Sequence, residues 1–451
     1  MPDGAWTPPV PTPAPDGISG RAFLATMRRD GIRALPSSCF DGTPLIRRVA
    51  GRTVAVLSTP EAVRRVLVDN PANYRRLPAG IRVLRPIAGR GLLIAEGAAW
   101  KQARSVLAPA FAPRALPVLG GHIARAAATF CDLQASCAGR AIPLLEALQA
   151  LSLEIAGTAM FSLEMARFGP AMRALLGDYM LRVGRPALSD FLLPLWVPTP
   201  AEFRRAAFRR RWMRLVAEII AARRRLPPSE TPRDLFDLMR QAYGGGDVPD
   251  PRLADEAATM IVAGHETTAL ALFWSCLLLA GAPATQEALA AEAAALPADP
   301  ESAAAALPNL PRTRAVLQEA LRLYPPAFLI ARAAAGADEI GGHALPRGAI
   351  VLLPVYALHR HRGLWTEPDR FDPARFLGPA PDRFAYLPFG AGPHTCIGAQ
   401  LAQAEAVLVL AHILRRLRLE RVGSVPVLPV GTLTTRPDHP PDFILHRRRA
   451  A

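Results

Sequence analysis

The chain has 451 residues, 51% hydrophobic and 20% charged, a balance that supplies a large core and excludes a disordered chain. Its formal charge of +15 is almost all arginine, since Lys101 is the only lysine, and the arginines do not cluster with aromatics as a nucleic-acid surface requires. Five cysteines, Cys39, Cys131, Cys137, Cys276 and Cys396, form no CxxC pair, so they indicate neither a zinc cage nor a disulfide framework and fit a reducing, cytoplasmic setting.

Residues 1–17 are proline-rich, without the basic start or the apolar core of ~7–15 residues of a signal peptide, and are expected to form a disordered tail ahead of one large domain over 18–451. "GRTVAVL" from Gly51 predicts a strand, and "TPEAVRRVLVDN" after it a capped helix. "WKQAR" sets Trp100 and Arg104 four apart on one helical face. Helical patterns dominate from Ala98 to Leu323. Within them, "DEAATMIVAGHETTALALFWSCLLLA" is an apolar, buried-type helix interrupted by Gly264, His265, Glu266, Thr267 and Thr268. Polar groups there must find partners or face a cavity, and Thr267 can bond back to the carbonyl of Ala263. The apolar run from Ala269 falls short of the ~20 residues of a membrane span, so no membrane anchor is expected.

"EALRLYPP" puts Glu319 and Arg322 on one face of a helix that Pro325 should end. Strand and turn chemistry returns over 340–354. A long irregular stretch containing "FDPARF" follows and leads into "FGAGPHTCIG", then a helix over 397–417 and a small hairpin after Gly423. Cys396 sits at that helix entry, where backbone donors stabilise a thiolate, so it is primed as a ligand or a nucleophile; a small buried cysteine is the plainer reading. Gly390, Gly392 and Gly398 clear side chains from its surroundings.

"FGAGPHTCIG" resembles the haem-binding signature of the cytochrome P-450 family, in which the cysteine is the proximal thiolate ligand of haem iron. "AGHETT" resembles that family's oxygen-binding helix motif, and "EALRLYPP" with "FDPARF" its Glu-x-x-Arg helix and second arginine. The resemblance runs from Trp100 to Gly398. It implies a mainly α (α+β) cytochrome P-450 fold, a single helix-rich domain with small β-sheets around haem b (iron protoporphyrin IX). It gives Cys396 the iron and makes Glu266 and Thr267 the proton relay. Trp100, Arg104, Ala263, Gly264, Arg332, Phe389, Gly390, His394 and Gly398 become haem contacts, with His359 a weaker one. Glu319, Arg322 and Arg375 become a structural cluster.

The implied reaction inserts one oxygen atom from O2 into a lipophilic substrate such as a fatty acid or terpenoid. Electrons would come from NAD(P)H through a separate ferredoxin or flavodoxin, because no flavin or dinucleotide motif accompanies the matched stretch. Substrate contacts are expected at Leu84, Ile87, Leu93, Ile261, Phe328, Leu329 and Leu433. A haem-thiolate peroxygenase or isomerase would not need Glu266 and Thr267. A haem-free cysteine hydrolase would need a base better placed than His394, two residues from Cys396, and a basic binding protein would leave the motifs unexplained.

Overall fold

The computed structural model describes residues 6–49, 51–227, 229–243 and 251–448. Helices form most of it, and the strands fall into four small sheets, the mainly α architecture expected. The organising element is the helix Pro251–Ala280, called the central helix below. Its residues Leu270, Leu272, Phe273, Trp274 and Cys276 are wholly buried. Around it pack the helices Pro78–Ala88, Leu144–Phe161, Pro200–Arg224, Pro311–Leu323 and Ala399–Arg416. Among the described residues, two helices, Leu144–Phe161 and Arg252–Ala280, are long and apolar enough to cross a bilayer by composition; 61% and 78% of their apolar 18-residue stretches are buried inside the fold. Their apolarity is used as core.

The largest sheet runs, edge to edge, Leu45–Val49, Arg52–Val56, Ile350–Leu353, Ile330–Ala334, Tyr74–Arg76. Within this sheet Arg52–Val56 pairs in parallel with Ile350–Leu353. Antiparallel pairing then sets Arg332 opposite Val351 on one side and Arg76 on the other. "TPEAVR" forms the expected helix start: Thr59 accepts from the Ala62 amide at 3.3 Å, and Pro60 takes the first helical position, where no amide donor is needed. The expected C-terminal hairpin pairs Pro429–Gly431 with Thr435–Pro437.

The N-terminal stretch departs from expectation. Of the supposed tail 1–17, residues 6–17 lie against the body. The Trp6 indole donates to the Leu278 carbonyl at 3.2 Å, Trp6 accepts from the Phe371 amide at 3.1 Å, and Ala14 exchanges backbone bonds with Leu35 and Ser37. Pro8, Pro11 and Ala14 are buried. Proline lowers the cost of ordering such a segment because its φ is already fixed, so a few anchors hold it.

Candidate functional site

The loop before Cys396 is shaped by two glycines with positive φ, +73° at Gly390 and +69° at Gly392. A Cβ on Gly392 would also lie 1.8 Å from the Leu67 carbonyl oxygen, so this position excludes any side chain. Backbone bonds from Cys396 to Phe389 (2.9 Å) and Thr395 to Gly392 (3.1 Å) close the loop. The following helix begins at Ala399, later than expected, with Gly398 as its cap. The Gly398 amide faces the Cys396 sulfur. Burial raises the Cys396 thiol above its ordinary range, while that amide and the Arg104 guanidinium pull it down. The residue nonetheless keeps open surface.

Next to the loop lies a concentration of positive groups. Arg104 donates to the Thr395 carbonyl at 2.7 Å. Trp100, one helical turn earlier, packs its ring 4.1 Å from that of His394. Arg76 approaches His394 Nδ1 at 3.4 Å; arginine can only donate, so Nδ1 accepts and the His394 proton is on Nε2. Burial, then Arg76, Arg332 and Arg104, push the His394 pKa down to about 4. Burial and Arg76 pull Arg332 down to about 10, and burial lowers Arg76 as well. Two arginines directly opposite across antiparallel strands repel one another, and Glu96, 3.3 Å from Arg76 Nε, is the carboxylate that acts on both. Three arginines around a neutral histidine with one acidic partner form a site for further anionic groups. Arg76 was not singled out from the sequence; its partner is fixed only by the strand register.

The polar interruption of the central helix is built as follows. Thr267 Oγ1 donates to the Ala263 carbonyl at 2.6 Å. Ala263 is exposed between half-buried neighbours, and a Cβ on Gly264 would meet nothing within 4 Å. One face of this helix therefore opens on free space. On its other side Glu266 is buried, accepting from Gln149 Nε2 at 3.1 Å and lying 3.2 Å from Arg436 Nε. Burial raises the Glu266 pKa, opposed by Arg436 and Gln149. His265 is held down at about 4, by burial first. Neither Gln149 nor Arg436 stood out in the sequence, because each is an ordinary polar residue on a distant element.

The helix Pro311–Leu323 supplies a third cluster. Arg322 donates to both Glu319 oxygens (2.7 and 2.8 Å) and to the carbonyls of His359 (2.9 Å), Pro368 (2.5 Å) and Arg370 (3.0 Å). Glu319 also accepts from the Asp372 amide at 2.9 Å and lies 3.5 Å from Arg375 Nε. His359, expected near the haem edge, belongs here instead. Its Nδ1 meets the Arg322 carbonyl at 3.2 Å and its Nε2 accepts from the Leu387 amide at 2.7 Å, two residues ahead of Phe389. The cluster thus ties the irregular stretch to the Cys396 loop.

The residues expected to touch substrate separate. Ile87 and Ile261 are fully buried core; Leu84, Leu93 and Leu433 are partly buried on the same cluster, as is Phe389. Phe328 and Leu329 belong to another cluster under the largest sheet, with the Phe328 ring packed against Gly31 and Gly431. The stretch 82–94 is latched from several sides. Glu256 accepts from the Leu92 amide (2.9 Å), Asp255 from the Arg90 amide (2.8 Å), Trp212 donates to the Ile87 carbonyl (3.0 Å), and Arg82 bonds Glu202 (2.6 Å).

Comparison with known proteins gives the family. The cytochrome P450 family model matches residues 42–440, and the chain belongs to that family. It is accordingly a haem-dependent cytochrome P450 monooxygenase. It is 30% identical over 436 residues to cyclooctatin synthase of Streptomyces melanosporofaciens, covering 93% of this chain and 92% of that protein. It is also 30% identical over 438 residues to cyclooctat-9-en-7-ol 5-monooxygenase of the same organism, covering 93% and 91%. The solved cytochrome P450DA heme domain matches at a TM-score of 0.79 and 24% identity over 98% of each chain, a likeness of fold.

Proposed function

We propose that Cys396 is the thiolate ligand of the haem iron and that the chain oxidises a lipophilic, terpenoid-like substrate. The observation that carries the reading is the cationic cluster beside Cys396. Glu96 is the carboxylate that acts on Arg76 and Arg332, Arg104 is bonded to the Thr395 carbonyl beside them, and the two propionates of a haem supply the acidic partners these three arginines lack. The glycines fit the same group, since Gly264 faces open space and Gly398 leaves only the Phe111 ring, 3.9 Å away, in front of a Cβ. When bound, thiolate-ligated haem activates dioxygen and transfers one oxygen atom.

The chain's own residues prepare that chemistry. The Gly398 amide and Arg104 favour the Cys396 thiolate against burial. Trp100 packs on His394, whose Nε2–H is left to donate. The Thr267 hydroxyl, anchored on the Ala263 carbonyl, and the buried Glu266 carboxyl provide a hydroxyl and an acid through which protons reach a site shielded from bulk water. Leu84, Leu93 and Leu433, the expected contacts that keep open surface on the main cluster, offer aliphatic walls. The two compared proteins of Streptomyces melanosporofaciens, one of them a cyclooctat-9-en-7-ol 5-monooxygenase, favour a terpenoid over a fatty acid.

Electrons come, in this reading, from NAD(P)H through a separate acidic ferredoxin or flavodoxin steered by the positive charge, in the cytoplasm. The test is the absorption spectrum of dithionite-reduced protein with carbon monoxide, for wild type and Cys396→Ala. A strongly red-shifted Soret band in the wild type alone is expected. A wild type with no haem, or with a histidine-type band, overturns the assignment.

A further inference from the structure

Among the described residues, the buried cluster around Glu266 draws its only ion-pair partner from outside the central helix. Arg436 lies in the C-terminal hairpin, opposite Val430. The neighbouring Thr435 pins that strand: its carbonyl accepts from the Trp274 indole at 3.0 Å, its amide donates to Pro326 at 3.0 Å, and its hydroxyl bonds the Pro325 carbonyl. Arg436 is therefore held on a rigid support. Its side chain is 26% exposed and that of Glu266 9%, so the pair spans from the core toward solvent. Glu266 Oε1, His265 Nε2, Thr268 Oγ1 and Thr434 Oγ1 are buried without a hydrogen-bonding protein partner. They are the kind of polar atoms that buried water bridges.

We infer that Arg436 is a positioning residue for Glu266: from the hairpin it holds the carboxylate between itself and Gln149 and so sets the pH at which Glu266 takes up and passes protons. The inference rests on the proposed relay role of Glu266. Each proton that leaves the carboxyl must be replaced by one from solvent, so the group cycles between acid and anion. Burial favours the acid, and a cation 3.2 Å away favours the anion. The other groups facing this cluster are Gln149, uncharged, from the helix Leu144–Phe161, and Arg173, from the helix Gly169–Asp178, which acts on the neutral His265. No second carboxylate acts on Glu266 among the described residues.

The experiment uses the purified holoenzyme as wild type, Arg436→Lys, Arg436→Met, Arg436→Gln and Glu266→Gln, each checked for an intact carbon monoxide band. The infrared carboxyl stretch that Glu266→Gln removes is titrated against pH. Its midpoint should rise by ~1 pH unit or more in Arg436→Met and Arg436→Gln and stay near wild type in Arg436→Lys. The pH profile of NAD(P)H oxidation, driven by a purified ferredoxin and its reductase, should move the same way. A midpoint unchanged in both neutral variants, or shifted as far by lysine as by methionine, overturns the inference. A profile that Glu266→Gln itself leaves unmoved overturns the relay reading instead, whatever the infrared titration shows.

Discussion

Two buried polar clusters, one on the helix Pro311–Leu323 and one in the middle of the central helix, differ in how completely they are bonded. Arg322 uses all five of its N–H donors, and Glu319 accepts from Arg322 and the Asp372 amide; Arg375 Nε, 3.5 Å from Glu319 at the edge of the cluster, is the exception that makes no hydrogen bond. At the central helix, Glu266 Oε1, His265 Nε2 and Thr268 Oγ1 lack hydrogen-bonding protein partners. A buried charge is tolerated only when paired and bonded, so the first cluster behaves as scaffold. The second keeps unmet bonding capacity in the interior, which folding alone does not favour and which a proton path uses.

The contrast is broken most sharply by removing Arg322. Arg322→Ala strands the buried Glu319 carboxylate and three carbonyls, and should cost about 3–5 kcal/mol in denaturant unfolding. Glu266→Gln, by comparison, should stay within ~1 kcal/mol of wild type, because it swaps a carboxyl whose charged form burial disfavours for a neutral group of the same shape. If the two variants lose equal stability, the division into scaffold and working cluster fails.

His359 sharpens the comparison through pH. Burial, and then Arg322, hold its pKa near 3, below the ordinary 6.5. Above pH 6.5 it is neutral both folded and unfolded and contributes no pH dependence. As pH falls from 6.5 toward 3, the unfolded chain binds a proton that the fold refuses, so stability drops by ~1.4 kcal/mol per pH unit. His359→Gln should start about 1–3 kcal/mol below wild type at pH 7.5, having disturbed the bond to the Leu387 amide. The gap should close by ~2 kcal/mol at pH 5. Parallel stability curves for the two proteins would show that His359 is not a buried neutral histidine.

What could be read from the chain was what is local. The Cys396 loop, the interrupted helix and the three-residue spacing of Glu319 and Arg322 are contiguous patterns, and their chemistry is legible without a fold. What escaped depends on register or on distant partners. Arg76 matters because antiparallel pairing sets it against Arg332. His359 was misplaced because its ring is fixed by the Arg322 carbonyl and the Leu387 amide, far along the chain on either side. Phe328 was expected at the substrate, yet Gly31 and Gly431, about 300 and 100 residues away in sequence, leave room for its ring in another cluster. Residues 6–17 looked disordered by composition, and Trp6 anchors them through one indole and one carbonyl.

The smallest expected effect separates the two regions by their free space. A glycine inside a helix costs about 1 kcal/mol relative to alanine, and at Gly264 a Cβ would touch nothing within 4 Å. Gly264→Ala should therefore leave the protein as stable as wild type or up to ~1 kcal/mol more stable in thermal unfolding of the apoprotein. Its methyl group would project into the open space beside Ala263, where the proposed haem and substrate meet the central helix, so the cost should appear as weaker haem or substrate binding in spectral titration. A loss of apoprotein stability would mean that the helix is packed at this point, and the cleft assigned to the cofactor would have to lie elsewhere.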